Sequence, residues 1–133
     1  MTWPNSVTVV SLSDYDKVQG FYEKTPFARE PDVLRQQIEQ GLVVAIFCQR
    51  QIVAAGFLDS FTGVTALIAG IFTLPSYRGR GYALKVVQAL VHLCLSAHKL
   101  SVLYADNPVA LRVYRRAGFS PLARELQLWQ ARW

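Results

Sequence analysis

The chain has 133 residues, of which 52% are hydrophobic and 17% charged, a balance that suits one core and excludes intrinsic disorder. Eight Gly and six Pro are too few for a collagen-like or low-complexity chain, and no apolar run approaches the ~20 residues that span a bilayer. No basic cluster followed by an apolar stretch opens the chain, so no secretory signal is read; a cytoplasmic protein of one domain, residues 1–133, with no membrane partner is expected. Residues 1–66 hold five Lys or Arg against seven Asp or Glu, a net of −2, and residues 67–133 hold nine against two, a net of +7. The second half therefore suits an anionic partner. Cys48 and Cys94 have no CxxC neighbour and no nearby His pair; they read as reduced, buried thiols, and no metal site is expected.

In chain order, Val7 to Leu12 reads as a short β-branched strand. Ser13 and Asp14 cap a helix through about Lys24, which Pro26 ends. Pro31 and Asp32 open a second helix, Val33 to Gln40, stopped by Gly41. Leu42 to Cys48 and Ile52 to Phe57 form a hairpin across Gln49-Arg50-Gln51. Val64 to Leu74 is a third β-like run of this group, interrupted by Gly70. From Tyr82 to Lys99, polar residues fall at spacings of three and four (Lys85, Gln88, His92, Ser96, Lys99) in a surround of Ala, Val and Leu. That spacing predicts a helix packed on a sheet with one wet stripe carrying His92, and His98 at its cation-favouring end. Leu100 to Ala105 is a strand, Asn107 caps a helix begun by Pro108 and closed by Gly118, and Leu122 to Trp133 forms one or two closing strands.

Between the third run and the long helix stands Pro75-Ser76-Tyr77-Arg78-Gly79-Arg80-Gly81-Tyr82-Ala83. A strand that enters a helix through two glycines leaves several backbone N–H groups without intrahelical partners. Gly79 and Gly81 admit positive φ and close approach of a ligand, the helix dipole adds positive field, and Arg78 and Arg80 add charge that forks onto phosphate oxygens. The pattern is a pyrophosphate site made mainly of backbone, with a glycine-eased strand–helix turn as the plain alternative. Two other phosphate loops are excluded by spacing. GxGxxG needs a small residue where Leu84 stands, and no GxxxxGK followed by Ser or Thr occurs.

In these residues the sequence resembles the GNAT superfamily of N-acetyltransferases, which use acetyl-coenzyme A. Arg78-Gly79-Arg80-Gly81-Tyr82-Ala83 matches the family's central motif at every fixed position, and Asn107, Pro108, Ala110, Tyr114 and Gly118-Phe119 match a second one. The resemblance covers residues 66 to 122. It implies an α/β, three-layer fold with a mixed central sheet of about six or seven strands, helices on both faces, and the fourth and fifth strands splayed. It places pairing with the pantetheine arm at Ile71, Phe72 and Thr73, just after a bulge marked by Gly70. It places the pyrophosphate on N–H groups of Arg78, Gly79, Arg80, Gly81, Tyr82, Ala83 and Leu84, with Asn107 as a further coenzyme contact. Tyr114 is implied as the general acid that protonates the departing thiolate, a role set against that of a core aromatic. The N–H of Phe72 or Thr73 is the candidate oxyanion donor.

The pattern departs from the family at the base: Ala66-Leu67-Ile68-Ala69-Gly70-Ile71 has no carboxylate. Asp59 stands on the preceding strand or its loop, as a base acting through water or as a solvated residue. The expected activity is acetyl transfer from acetyl-coenzyme A to a primary amine of an unidentified small molecule or peptide, by a monomer or homodimer. A catalytically silent coenzyme-A-binding or regulatory module of the same fold is the alternative. Phe21, Tyr22 and Phe27 are candidates for the acceptor pocket or for the core. Arg112, Arg115, Arg116 and Arg124 read as a solvated face, and no nucleic-acid partner is expected.

Overall fold

A computed structural model describes residues 3–61, 63–104, 108–123 and 128–131. The chain runs β1 (Val7–Val9), α1 (Tyr15–Glu23), α2 (Pro31–Glu39), β2 (Val43–Cys48), β3 (Gln51–Phe61), β4 (Thr65–Thr73), α3 (Tyr82–Ser96), β5 (Leu100–Tyr104), α4 (Pro108–Arg116), β6 (Phe119–Ala123) and β7 (Leu128–Ala131). The strands form one seven-stranded mixed sheet in the order β1-β2-β3-β4-β5-β7-β6. Among the described strands only β4 and β5 pair in parallel, joined by a crossover through α3, as parallel neighbours require.

Alternation along the strands divides the core in two. Val18, Phe21, Tyr22, Leu34 and Ile38 of α1 and α2 bury against Val43, Ala45, Ile52, Ala55 and Phe57 on one face of the sheet. On the other, Val86, Val87, Leu90 and Cys94 of α3 and Tyr114 of α4 pack on Val44, Ile46, Val53, Ile68 and Leu103. The layers are thus helix, sheet, helix. Fully buried Leu34, Leu90 and Leu103 each contribute about 2 kcal/mol of apolar transfer. Among the described residues no helix is long and apolar enough to cross a membrane.

Several boundaries move from the sequence reading. The first strand stops at Val9, and a 3-10 turn over Leu12–Asp14 leads into α1. Asp14 makes no side-chain cap; the Ser11 and Ser13 hydroxyls bond each other at 2.7 Å instead. The β2–β3 hairpin needs only Gln49 and Arg50, both at positive φ (50° and 66°), which matches the right-handed strand twist despite the absence of glycine. Helix α3 ends at Ser96, and His98 sits beyond it at φ 57°. The Lys99 N–H donates to Cys94 O and His98 N–H to Leu95 O, a Schellman closure with histidine where glycine is usual. His92 is half-buried, not on an open stripe: the Trp3 ring meets it edge-on at 5.2 Å. Both closing strands form, the first starting at Phe119 directly after Gly118.

Candidate functional site

Among the described residues, strands β4 and β5 pair from Thr65–Leu100 to Ile68–Leu103, while β4 continues to Thr73. The cause lies in β4. Ala55 pairs with Phe72 and Phe57 with Ala69, so two residues of β3 span the distance of three on β4. This is a bulge at Gly70, which adopts φ 65° and bends the strand away from its neighbour. A Cβ at Gly70 would overlap the Phe57 ring, so this position needs glycine for space as well as for conformation. Ile71, Phe72 and Thr73 therefore lie on an edge of β4 that the described residues of β5, Leu100–Tyr104, do not cover. The Thr73 hydroxyl is buried there without a hydrogen-bond partner among the described residues, and Arg78 Nε donates to the Thr73 carbonyl at 3.0 Å while its guanidinium stands 5.3 Å from the Phe72 ring centre.

The chain then turns through Pro75–Tyr77 into α3. Gly79 and Gly81 take φ 79° and 78°, and a Cβ on either would meet nothing within 4 Å. The glycines are there for backbone shape, and the space above them is open. The first helical bond runs from Lys85 N–H to Gly81 O; no side chain caps Gly81. Among the described residues, the amides from Gly79 to Leu84 have no acceptor, whereas the Arg78 N–H, also expected in the cradle, is turned back to donate to Pro75 O at 3.4 Å as the 3-10 turn closes. Six unpartnered N–H groups at the positive end of a fifteen-residue helix form an anion cradle. Arg80 stands beside it, its guanidinium 5.0 Å from the Tyr77 ring centre.

Tyr114 lies on the inner face of α4, buried, with its ring tilted against Phe119 at 6.3 Å. Ile71, Tyr82 and Leu84 pack against the same core cluster, so the tyrosine shares a cluster with the β4 edge and the cradle. Arg112, Arg115 and Arg116 point outward as expected; Asn107 and Arg124 lie outside the described residues.

On the α1–α2 side of β4, a cavity of about 590 Å³ is lined by Phe27, Arg29, Glu30, Val33, Phe57, Asp59 and Ala69, among others. Here Asp59 is held by Arg29 in an ion pair, and the Arg29 guanidinium lies 4.4 Å from the Phe57 ring centre. Phe27 does line this cavity; Tyr22 does not. Tyr22 is core, and its hydroxyl donates to Gly70 O at 2.8 Å. Burial pushes its pKa well above the ordinary phenol value, so the hydroxyl remains a donor. Sequence reasoning missed this contact and the Arg29–Asp59 pair, which join residues 48 and 30 positions apart. Nothing local marks either pairing. Cys48 and Cys94 form no disulfide; Cys94 is buried as expected and burial raises its thiol pKa, consistent with an inert packing role, whereas Cys48, at the end of β2, is only half-buried.

Residues 9–119 match the Acetyltransferase (GNAT) family. No curated protein matches the chain. Among solved structures, a GNAT-family acetyltransferase from Colwellia psychrerythraea superposes with TM-score 0.76 at 21% identity, over 98% of this chain and 50% of that one. Rv2747 from Mycobacterium tuberculosis, solved in complex with CoA, gives 0.75 at 13% identity over 88% and 72%. Arabidopsis thaliana Naa50, solved with the bisubstrate analogue CoA-Ac-MVNAL, gives 0.72 at 15% over 94% of each. The chain spans only 32% and 54% of two other acetyltransferases that it matches. At these identities the likeness is one of fold.

Proposed function

Because the chain belongs to the GNAT acetyltransferase family, we propose that residues 1–133 act as one N-acetyltransferase domain that moves an acetyl group from acetyl-coenzyme A to a primary amine. The observation that carries this reading is the coincidence of a β4 edge, Ile71 to Thr73, that the described residues of β5 leave uncovered, with the open cradle from Gly79 to Leu84. The two features fit a ligand with a diphosphate at one end and an amide-rich arm at the other. Two family structures contain CoA or a CoA conjugate. The +7 half of the chain suits the phosphates of the same ligand.

Acetyl-coenzyme A supplies a thioester whose acetyl carbon the free amine attacks, forming C–N and breaking C–S. The residues of this chain bind and orient. The amides from Gly79 to Leu84 hold the diphosphate, Ile71 to Thr73 pair with the pantetheine arm, and Thr73 Oγ1 gains the partner it lacks. An N–H of Phe72 or Thr73 stabilises the oxyanion, and Asn107 is a further coenzyme contact. The Tyr114 hydroxyl gives its proton to the departing thiolate, and the proton that the amine nitrogen loses on becoming an amide restores the phenol by way of solvent. The acceptor occupies the cavity at Ala69, where Glu30 suits a cationic amine while Asp59 is neutralised by Arg29. A cytoplasmic setting belongs to the same reading, since acetyl-coenzyme A and reduced thiols occur together there.

One observation favours a second reading, a silent coenzyme-binding module: β4 carries no carboxylate, and Asp59 is already engaged by Arg29. Calorimetry with coenzyme A, followed by an acetylation screen over amino acids, polyamines, aminoglycosides and peptides, separates the outcomes. Binding with acetylation of one amine class supports the enzyme, and binding without turnover supports the module. No coenzyme binding, with salt-dependent DNA binding instead, overturns both.

A further inference from the structure

Tyr22 belongs to neither the cradle nor the acceptor cavity, yet it is the one side chain of α1 bonded to β4 among the described residues. Its hydroxyl reaches Gly70 O at 2.8 Å from a buried position. In a regular ladder a strand carbonyl bonds the neighbouring strand; at the bulge this one accepts from a helix. A trans peptide is planar, with its N–H directed opposite its C=O. Fixing the Gly70 carbonyl toward α1 therefore fixes the Ile71 N–H away from it. Ile71 is the first residue of the segment assigned to pantetheine.

The same peptide is gripped a second time. The Phe57 ring fills the space where a Gly70 side chain would stand, and it meets the Tyr22 ring at 5.4 Å and 72°. Gly70 at φ 65° has freedom to choose other conformations, so something must hold it. Phe57 restricts its volume, and among the described residues the Tyr22 hydroxyl is what bonds the Gly70 carbonyl and gives the peptide a direction.

We infer that Tyr22 is a positioning residue for coenzyme binding: it orients the Gly70–Ile71 peptide so that the edge from Ile71 to Thr73 faces the gap between β4 and β5. This rests on the coenzyme reading above. It links α1, on the acceptor side of the sheet, to the coenzyme side through one buried hydrogen bond.

The test compares Tyr22→Phe with Val18→Ala, a buried change on the same helix. Both are made in a Gly20→Ala background, whose added methyl meets nothing within 4 Å and which favours the helix, to keep the variants folded. Calorimetry with coenzyme A reads affinity, and amide NMR without ligand reads the Ile71 N–H. Tyr22→Phe weakens coenzyme A binding about tenfold and shifts the Ile71 amide, while Val18→Ala holds affinity within about twofold. Unchanged affinity in Tyr22→Phe overturns the inference, whether or not the amide moves, and so does an equal loss in Val18→Ala. If the background protein itself does not bind coenzyme A, the functional reading fails first and this inference falls with it.

Discussion

Ile68 faces Leu103 across the last rung that joins β4 to β5 among the described residues, and beyond it β4 runs on from Ala69 to Thr73. A parallel pair that ends midway leaves unpaired backbone polar groups, which is ordinarily a liability in a sheet interior. Here the open length begins one residue before the Gly70 bulge and ends where Arg78 binds the Thr73 carbonyl. The gap is therefore built by the sequence on both sides of it.

The glycine cradle can be tested without knowing the acceptor. Gly79→Ala and Gly81→Ala meet no neighbouring atom but strain a backbone at φ 79° and 78°. Each is expected to cost about 1–2 kcal/mol of stability. Each also weakens coenzyme A binding by about tenfold or more, because a methyl then occupies the space over the amides. Melting curves and calorimetry measure the two effects separately.

Gly70→Ala is a different case. It combines positive φ with overlap of the Phe57 ring, so strain and overpacking add to about 2–5 kcal/mol. A fall in denaturation midpoint well beyond that of Gly79→Ala is the expected result; Gly70→Ala in the Phe57→Leu background recovers part of it, as the obstructing ring is removed.

Tyr22 gives the protein an alkaline signature. Its raised pKa means that the folded state keeps the phenol proton longer than the unfolded chain does. The contribution is whole below the unfolded value of 10.0 and is lost as pH rises through the folded value. The gap in thermal stability between wild type and Tyr22→Phe is expected to stay constant from neutral pH to about 9 and to narrow above about 10. Thermal melts across that range check it.

Tyr114→Phe is expected to lower turnover about 100-fold or more with coenzyme A affinity little changed, since it removes a proton donor and keeps the ring. The packing of Tyr114 on Phe119 survives the change. Steady-state rates on the amine found by the screen, with calorimetry alongside, decide this; full retained activity shows that the hydroxyl is idle.

Asp59→Asn breaks the ion pair with Arg29 in the cavity at Ala69 and lies apart from the cradle. KM for the amine is expected to change several-fold, with coenzyme A affinity unaltered. An unchanged KM places the acceptor elsewhere.

Local chemistry determined a large part of this molecule. Gly79 and Gly81 before a fifteen-residue apolar helix, the stop at Gly41 and the Pro108 start are short-range signals, because glycine and proline act on their own φ. From these the helices, the hairpin and the cradle were legible, and the run through Gly70 already hinted at a break. Tertiary structure decided which partners those segments meet. That the Tyr22 hydroxyl binds Gly70 O, that Phe57 fills the Gly70 void, that Arg29 takes Asp59, and that Trp3 covers His92 are pairings between residues far apart in the chain. No periodicity encodes them, since they arise only when two helices and a twisted sheet close on one another and each buried polar atom must find whatever partner is near.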